Sequence, residues 1–519
     1  LDYILFMSPD DKTPEAEAGF FATIWQELKK FVMSFFIDYT SISSRKGDTV
    51  VEADAEHSIE VWTFTSRDQA QIMRSLLDDD FSTRYPGINV NIKLVVAGTL
   101  LPATLAGTGP DVSMGSAQTE AINYAIRSAV KALNSTTNGY DFNDFSAYKD
   151  DPVYSQFIDD VDTFDEVKAR FNEEAMVPLT IYGETFGIPE NMSFFMLFYR
   201  KDILAELGLE VPVTWDDFYD MIYVMQSNSL QIGFPTGVTG STIWMYQLDE
   251  PMYKEGNYDK YMEKYGDKLR AEGNTYFDEN GVEIPKTDGM LINLDSDLSL
   301  AQFNEVCKFY TMYDFPVTYD FANRFRSGEM PIAVADYTAY NQLIVFAPEI
   351  KGLWEFTPLP AMVDEQGNYN NTTVGTVTTS MMMRSVDERN NEFAAWTFMQ
   401  WWTSANIQSS YGNEMEALLG PSAKMNTANL EALYAMPWSK SEYDNLYAQF
   451  QSVTCTPMYP GSYIIARNTN FAFLSVYNES AEPVSKLQSY IDSINAELSR
   501  KREEFGLPTA EEYPLEFED

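Results

Sequence analysis

The chain has 519 residues, and 78 aspartates and glutamates against 35 lysines and arginines leave a formal charge of −43. That balance excludes nucleic acid as a partner, because a phosphate backbone needs a basic footprint. The 45% hydrophobic and 14% aromatic content excludes a disordered chain, and the single histidine, His57, excludes multi-histidine metal sites.

Near the N-terminus, Phe20, Phe21, Ile24, Trp25, Leu28, Phe31, Val32, Phe35 and Phe36 recur at helical spacing, interrupted by Glu17, Glu27, Lys29, Lys30 and Asp38. This predicts an amphipathic helix over 20–36 that either packs on the rest of the protein or docks on a membrane or a partner. A polar linker, Ser41 to Ser58, follows. No uninterrupted apolar run reaches membrane-spanning length. The chain starts at Leu1 without Met, a signal peptide or a lipidation Cys, so it is expected to be a piece of a longer protein whose address lay on the missing part.

From Ile59 the pattern is α/β. Ile59 to Phe64 reads as a strand, and Ile72, Met73, Leu76, Leu77 and Phe81 as one helical face. Pro86-Gly87 makes a turn into a strand over Ile88 to Val96. A short helix at Leu100 to Leu105 and a strand at Asp111 to Met114 complete a β-α-β-α-β order, which argues a mostly parallel, doubly wound sheet. Ligands of such sheets sit beyond the carboxyl ends of the strands, which points to Thr65–Arg67 and Met114–Gln118. Later, Phe194 to Tyr199 reads as a strand and Lys201 to Leu207 as a helix ended by Gly208. Thr214 and Asp217 form a capping box for a helix carrying Phe218, Met221, Ile222 and Met225. Asp249 to Asp297 turns polar and Tyr-rich, with a hairpin signal at Glu279-Asn-Gly281, and reads as an insertion. Phe393, Trp396, Phe398 and Trp402 mark one helix; Val484, Leu487, Ile491, Ile494 and Leu498 mark a long final one.

No catalytic motif stands out. There is no GxSxG elbow, Walker loop, HExxH or dinucleotide fingerprint, and Gly107-Thr-Gly109 precedes a strand where a phosphate cradle precedes a helix. Asp364 to Asn371 and Asp278 to Gly281 offer calcium-like oxygens without EF-hand spacing and read as hairpin turns. Cys307 and Cys455 lack CxxC spacing; buried free thiols and one long-range disulfide both fit them. No cofactor or metal is expected, and the chain is read as no enzyme.

An order of motifs is more telling: Ile59-Glu-Val-Trp-Thr-Phe64, Tyr85-Pro-Gly-Ile-Asn-Val90, Gly109-Pro-Asp-Val112, Tyr182-Gly-Glu-Thr-Phe-Gly-Ile-Pro189, Phe198-Tyr-Arg-Lys-Asp-Ile203, Val211-Pro-Val-Thr-Trp-Asp-Asp-Phe218, Phe325-Arg-Ser-Gly-Glu-Met-Pro-Ile-Ala333 and Phe356-Thr-Pro-Leu-Pro360. In this order, from about Ile59 to about Leu498, they resemble the family 1 extracellular solute-binding proteins, the carbohydrate-binding subunits of ABC importers.

The resemblance implies a two-lobe type II periplasmic-binding-protein fold with discontinuous lobes: 59–189 with 381–418, and 191–373 with 423–519, residues 1–58 lying outside it. Chain crossings are expected near Pro189–Ser193, Gly375–Ser380 and Leu419–Ser422, with a ligand in the cleft between the lobes. The family's sugar-contacting loop corresponds to Met114–Gln118 and offers Ser116 and Gln118. The Gly237–Gln247 loop offers Trp244 and Tyr246. After the strand Ile332 to Ala335, where relatives often place a Trp, stand Asp336 and Tyr337. Tyr463 takes the place of a stacking Trp, with Arg467 retained four residues on. Asn191 lies beside the hinge, and Phe64 at the cleft end of a central strand. Aromatic platforms with a few planar polar groups suit a sugar's C–H faces and hydroxyl rim. The implied function is capture of a carbohydrate, an oligosaccharide first of all, by a monomeric extracellular binder. It would be tethered at the cell surface through a segment outside this chain and would serve the permease of an ABC importer. Two readings stay open beside it: a sensor domain of a larger membrane protein, with the 20–36 helix docked on membrane or permease, and the same fold holding a peptide or other polar solute.

Overall fold

A computed structural model describes Ser41–Ile42 and residues 57–515 apart from 279 and 437. The helix expected over 20–36 lies outside the described residues. The expected linker does not begin as one, because β1 (Ser41–Ile42) pairs antiparallel with Lys93 and Ile92 as an edge strand.

The first lobe grows from three parallel strands. In β2 (His57–Thr63), Ile59, Val61 and Thr63 alternate inward. Its neighbours are β3 (Ile88–Leu94) and β4 (Val112–Ala117). Helix α1 (Arg67–Leu76) starts on a capping box in which Ser66 N–H donates to Gln69 Oε1 (2.9 Å) and Gln69 N–H to Ser66 Oγ (3.3 Å). Helices α2 (Leu100–Leu105) and α3 (Gln118–Ala125) follow, and a small ribbon, β5 (Thr180–Ile181) with β6 (Glu184–Thr185), leads to the hinge.

β7 (Ile188–Arg200) has 13 residues, enough at about 3.3 Å each to run roughly 40 Å, farther than one lobe needs. The second lobe supplies α4 (Trp215–Ser227), capped by Thr214 and Asp217 as the spacing predicts, then β8 (Ile232–Gly233) and α5 (Gly237–Gln247). The polar insertion forms α6 (Tyr258–Ala271) and the β9 (Thr275–Phe277)–β10 (Glu283–Pro285) hairpin. After α7 (Asp297–Thr311) come β11 (Ile332–Asp336), α8 (Ala339–Phe346) and β12 (Trp354–Thr357). The oxygen-rich 364–371 stretch closes a β13 (Met362–Val363)–β14 (Tyr369–Asn370) ribbon. There Asp364 Oδ1 accepts from the N–H groups of Gln366 and Asn368, at 2.9 and 2.8 Å.

β15 (Thr373–Met382) returns antiparallel along β7. Helices α9 (Glu392–Trp402) and α10 (Ala405–Leu419) then cover the first lobe, before α11 (Lys440–Phe450), β16 (Val453–Cys455), α12 (Ile465–Glu479) and α13 (Pro483–Glu504). Apart from the three two-stranded ribbons, the described strands make one sheet, ordered β1-β3-β2-β4-β15-β7-β11-β8, with β12 on β7 and β16 on β15. This is a mixed α/β fold of two lobes sharing crossing strands. The third pass comes later than Leu419–Ser422, because α10 runs on to Leu419 and Gly420 (φ +90°) ends it. The segment that lies along β7 is 426–428, where Met192 N–H donates to Asn426 O (3.0 Å) and Ala428 N–H to Glu190 O (2.9 Å).

Two large cores fill the molecule. One runs from Ile59 and Val61 through the α9 aromatics to Phe194 and Phe450; the other joins α4, α5, α7, α12 and α13 around Trp215, Trp244 and Phe309. A satellite core of Tyr261, Leu269, Met290 and Tyr513 fastens the insertion to the C-terminal segment. Cys307 and Cys455 are unpaired and buried in different cores. Among the described residues no helix is long and apolar enough to cross a membrane.

Candidate functional site

The crossing strands carry polar side chains where a sheet centre is normally covered. Asn191 Nδ2 donates to Thr378 Oγ1 (3.0 Å), and two residues on, Ser193 Oγ and Thr376 Oγ1 lie 3.1 Å apart. Alternation puts both pairs on one face. Thr376 is exposed although β15 is an interior strand, so this face is open to solvent between the lobes. The row of hydroxyls and amides is the floor of a cleft.

At the first-lobe end of that floor lies a cavity of about 250 Å³. Its walls come from the end of β2 (Thr63, Thr65), α1 (Gln69), the end of β4 (Gly115), the floor (Asn191), α9 and α10 (Trp402, Tyr411) and the third pass (Lys424, Asn426). The Tyr411 ring meets Trp402 edge-on at 4.9 Å. Glu190 projects here too, buried at 4% exposure. Its Oε2 accepts from Gly115 N–H (2.5 Å) and its Oε1 from Trp402 Nε1–H (2.9 Å). Burial pushes this carboxyl up to about 7, with the two N–H donors pulling the other way. Burial also lowers the Lys424 ammonium, whose Nζ sits 3.8 Å from the centre of a Trp438 ring. A larger groove of about 450 Å³ lies on the second lobe between Tyr340, Leu343, Trp354 and Phe356, but it has no residue of the floor in its lining. The smaller cavity is therefore the candidate site.

The profile of the bacterial extracellular solute-binding proteins matches residues 65–409, most of the chain. The chain belongs to that family. No curated protein matches it. Among solved structures, the sugar-binding protein MalE of the phytopathogen Xanthomonas citri is similar at 14% identity and a TM-score of 0.61, over 86% of this chain and 99% of that one. A cyclo/maltodextrin-binding protein complexed with maltotetraose gives 15%, 0.58, 85% and 96% for the same measures. An ABC transporter solute-binding protein from Thermotoga lettingae bound to α-D-tagatose gives 14%, 0.56, 85% and 100%. At these identities the likeness establishes the fold.

Within this solute-binding fold the residues named from sequence part company. Asn191 lies on the floor and lines the cavity. Gln118 opens α3, and its Oε1 accepts from Val377 N–H (2.8 Å), tying the helix to β15. Ser116 belongs to β4 and is buried, its Oγ 3.0 Å from that of Ser113. Phe64 is half-buried and packs on the first core.

The expected loop Gly237–Gln247 is helix α5. It is buried closely because Gly240 lets Pro235 O and Phe234 approach to where a Cβ would stand, so Trp244 is core, 1% exposed, with its ring edge-on to Trp215 at 5.2 Å. Tyr246 pairs its hydroxyl with Thr456 Oγ1 (2.9 Å). Asp336 caps its own turn, Oδ1 accepting from Thr338 N–H (2.9 Å) and Oγ1–H (2.6 Å). Tyr337 is buried and donates to Met192 O (3.2 Å), bracing the hinge from inside the core. Tyr463 bonds Glu497 of the last helix, and Arg467 is exposed on α12; neither lines the cavity.

Several wall residues escaped the sequence reading. Glu190 had a signal, being the one acid in the apolar run from Ile188 to Leu197. Trp402 sits in a helical pattern that reads as core, while Tyr411 and Asn426 lie outside the patterns that mark helices and strands.

Proposed function

We propose that this chain is a non-enzymatic receptor that captures a carbohydrate between its lobes and delivers it to the permease of an ABC importer. The observation that carries the reading is the partly exposed row Asn191–Thr378 and Ser193–Thr376 beside the Trp402 and Tyr411 rings. Small hydroxyls and amides match a sugar's hydroxyl rim, and rings match its C–H faces. The fold relatives titled as sugar-binding, and solved with maltotetraose or tagatose, support it. The cavity of about 250 Å³ is below the roughly 300 Å³ at which ligand pockets begin. It therefore holds one end of an oligosaccharide, with the rest lying along the open floor.

In this reading 59–189 with 381–418 form the first lobe and 191–373 with 423–519 the second. Bending about β7 and β15 brings them together on the ligand, and no bond of the sugar is broken. Thr65, Gln69, Gln118, Asn191, Thr378 and Asn426 supply hydrogen bonds while Trp402 and Tyr411 stack. The receptor acts outside the cell, tethered at the membrane surface. Calorimetry and thermal shift against mono-, di- and oligosaccharides of glucose, mannose and galactose test this. Saturable heat with a raised Tm is expected; silence across the panel rejects the carbohydrate.

A further inference from the structure

Glu190 stands where the register of the crossing strands slips. Thr378 pairs with Asn191 but Thr379 with Pro189, so Glu190 is the extra residue of a bulge in β7. Bulges re-aim a side chain out of the regular alternation. Here the carboxyl reaches two elements of the first lobe at once, Gly115 N–H at the end of β4 and Trp402 Nε1–H at the end of α9, while the Glu190 carbonyl holds Ala428 of the third pass. One residue thus joins the hinge to two walls of the cavity.

Both donors to the Glu190 side chain, one backbone and one indole, are N–H groups and can only donate. A carboxylate accepts from both. A carboxylic acid carries a hydroxyl that needs an acceptor of its own, so it serves one of the two donors badly. The other titratable groups lining the cavity are Tyr411 from α10 and Lys424 from the third pass. The first turns its ring to Trp402, and the second lies over Trp438. Among the described residues no second carboxylate and no arginine lines this space.

We propose that Glu190 is a proton-operated positioning residue of the cleft. Ionised, it clamps Gly115 and Trp402 to the crossing strands; protonated, it releases one of them and loosens the first-lobe wall. The burial that lifts its carboxyl to about 7 sets this change in the neutral range. The consequence for capture rests on the carbohydrate reading, but the movement itself does not, so the two fail separately.

The test uses the whole chain with no sugar added, labelled at the tryptophan indole nitrogens and followed by NMR from roughly pH 5.5 to 8.5. The Trp402 signal is assigned by its loss in W402F. In the wild type, and in H57Q, which removes the only imidazole, the Trp402 indole is expected to shift in a single step with its midpoint near neutrality. That step is lost in E190Q. A Trp402 signal that stays flat in the wild type, or an unchanged step in E190Q, overturns the proposal. Should E190Q fail to fold, the wild-type and H57Q traces decide alone.

Discussion

A terminal nitrogen of Arg502 donates to the hydroxyl of Tyr182, 3.1 Å away and 320 residues back along the chain. Tyr182 belongs to the ribbon before the first crossing, and Arg502 to the last helix of the second lobe. Arg502 is fully buried and also donates to the carbonyls of Pro508, Lys286 and Asp288, the last at 2.6 Å. The Tyr182 ring packs on Tyr276 of the insertion at 5.6 Å between centres, and Lys286 lies over it. The insertion and the C-terminal segment thus strap one lobe to the other beside the hinge.

Replacing Arg502 with Met strands three carbonyls and a hydroxyl in the interior. A loss of about 3–5 kcal/mol is expected, because each buried acceptor left without its donor costs about 1–3 kcal/mol and relaxation recovers part of the sum. Y182F removes a single hydrogen bond and is expected to cost only about 1 kcal/mol. Urea unfolding measures both, and equal effects would mean that the strap does not depend on Arg502.

Glu190 also shapes stability against pH. Its folded pKa of about 7 stands above its ordinary value, so its contribution is fully present below about pH 4.5 and is lost as pH rises through 7. E190Q removes that slope. The wild type is expected to lose on the order of 3 kcal/mol relative to E190Q across this window, read as the difference between paired denaturant melts at each pH.

Trp244 and Trp402 separate core from site. W244A empties a fully buried position and is expected to cost about 3–5 kcal/mol of stability while leaving the carbohydrate affinity of the folded fraction unchanged. W402F keeps most of the volume but removes the N–H held by Glu190, and it is expected to weaken carbohydrate binding by about 1–3 kcal/mol. Calorimetry beside thermal melts distinguishes the two. An affinity loss in W244A would return that ring to the site.

Arg467 gives the opposite control. Exposed on α12 and outside the cavity lining, it is expected to change stability and carbohydrate affinity by less than about 0.5 kcal/mol when cut to Ala. A larger drop in affinity alone would extend the ligand path onto α12.

The strands and helices were legible because their causes are local. Alternation at Ile59 and Val61, the Thr214–Asp217 capping box, the turn at Gly208 (φ +68°) and the stripe from Leu487 to Leu498 each follow from neighbours a few residues apart. The Gly237–Gln247 helix was not legible. Its glycines and threonines argue against a helix alone, and burial among α7 and α12 overrides that preference.

Composition and the order of motifs determined the family, the two-lobe fold and the hinge at Pro189–Ser193. The acidic excess, read first as an exclusion of nucleic acid, never bore on the ligand. Which rings face the cleft was decided only by tertiary structure. Trp244 and Trp402 both sit in apolar helical runs and both are buried, and only the packing of other elements leaves Trp402 alone of the two against a cavity. Glu190 shows the same limit, since its place depends on a one-residue slip between strands nearly two hundred residues apart in sequence. A single sequence does not display such a slip.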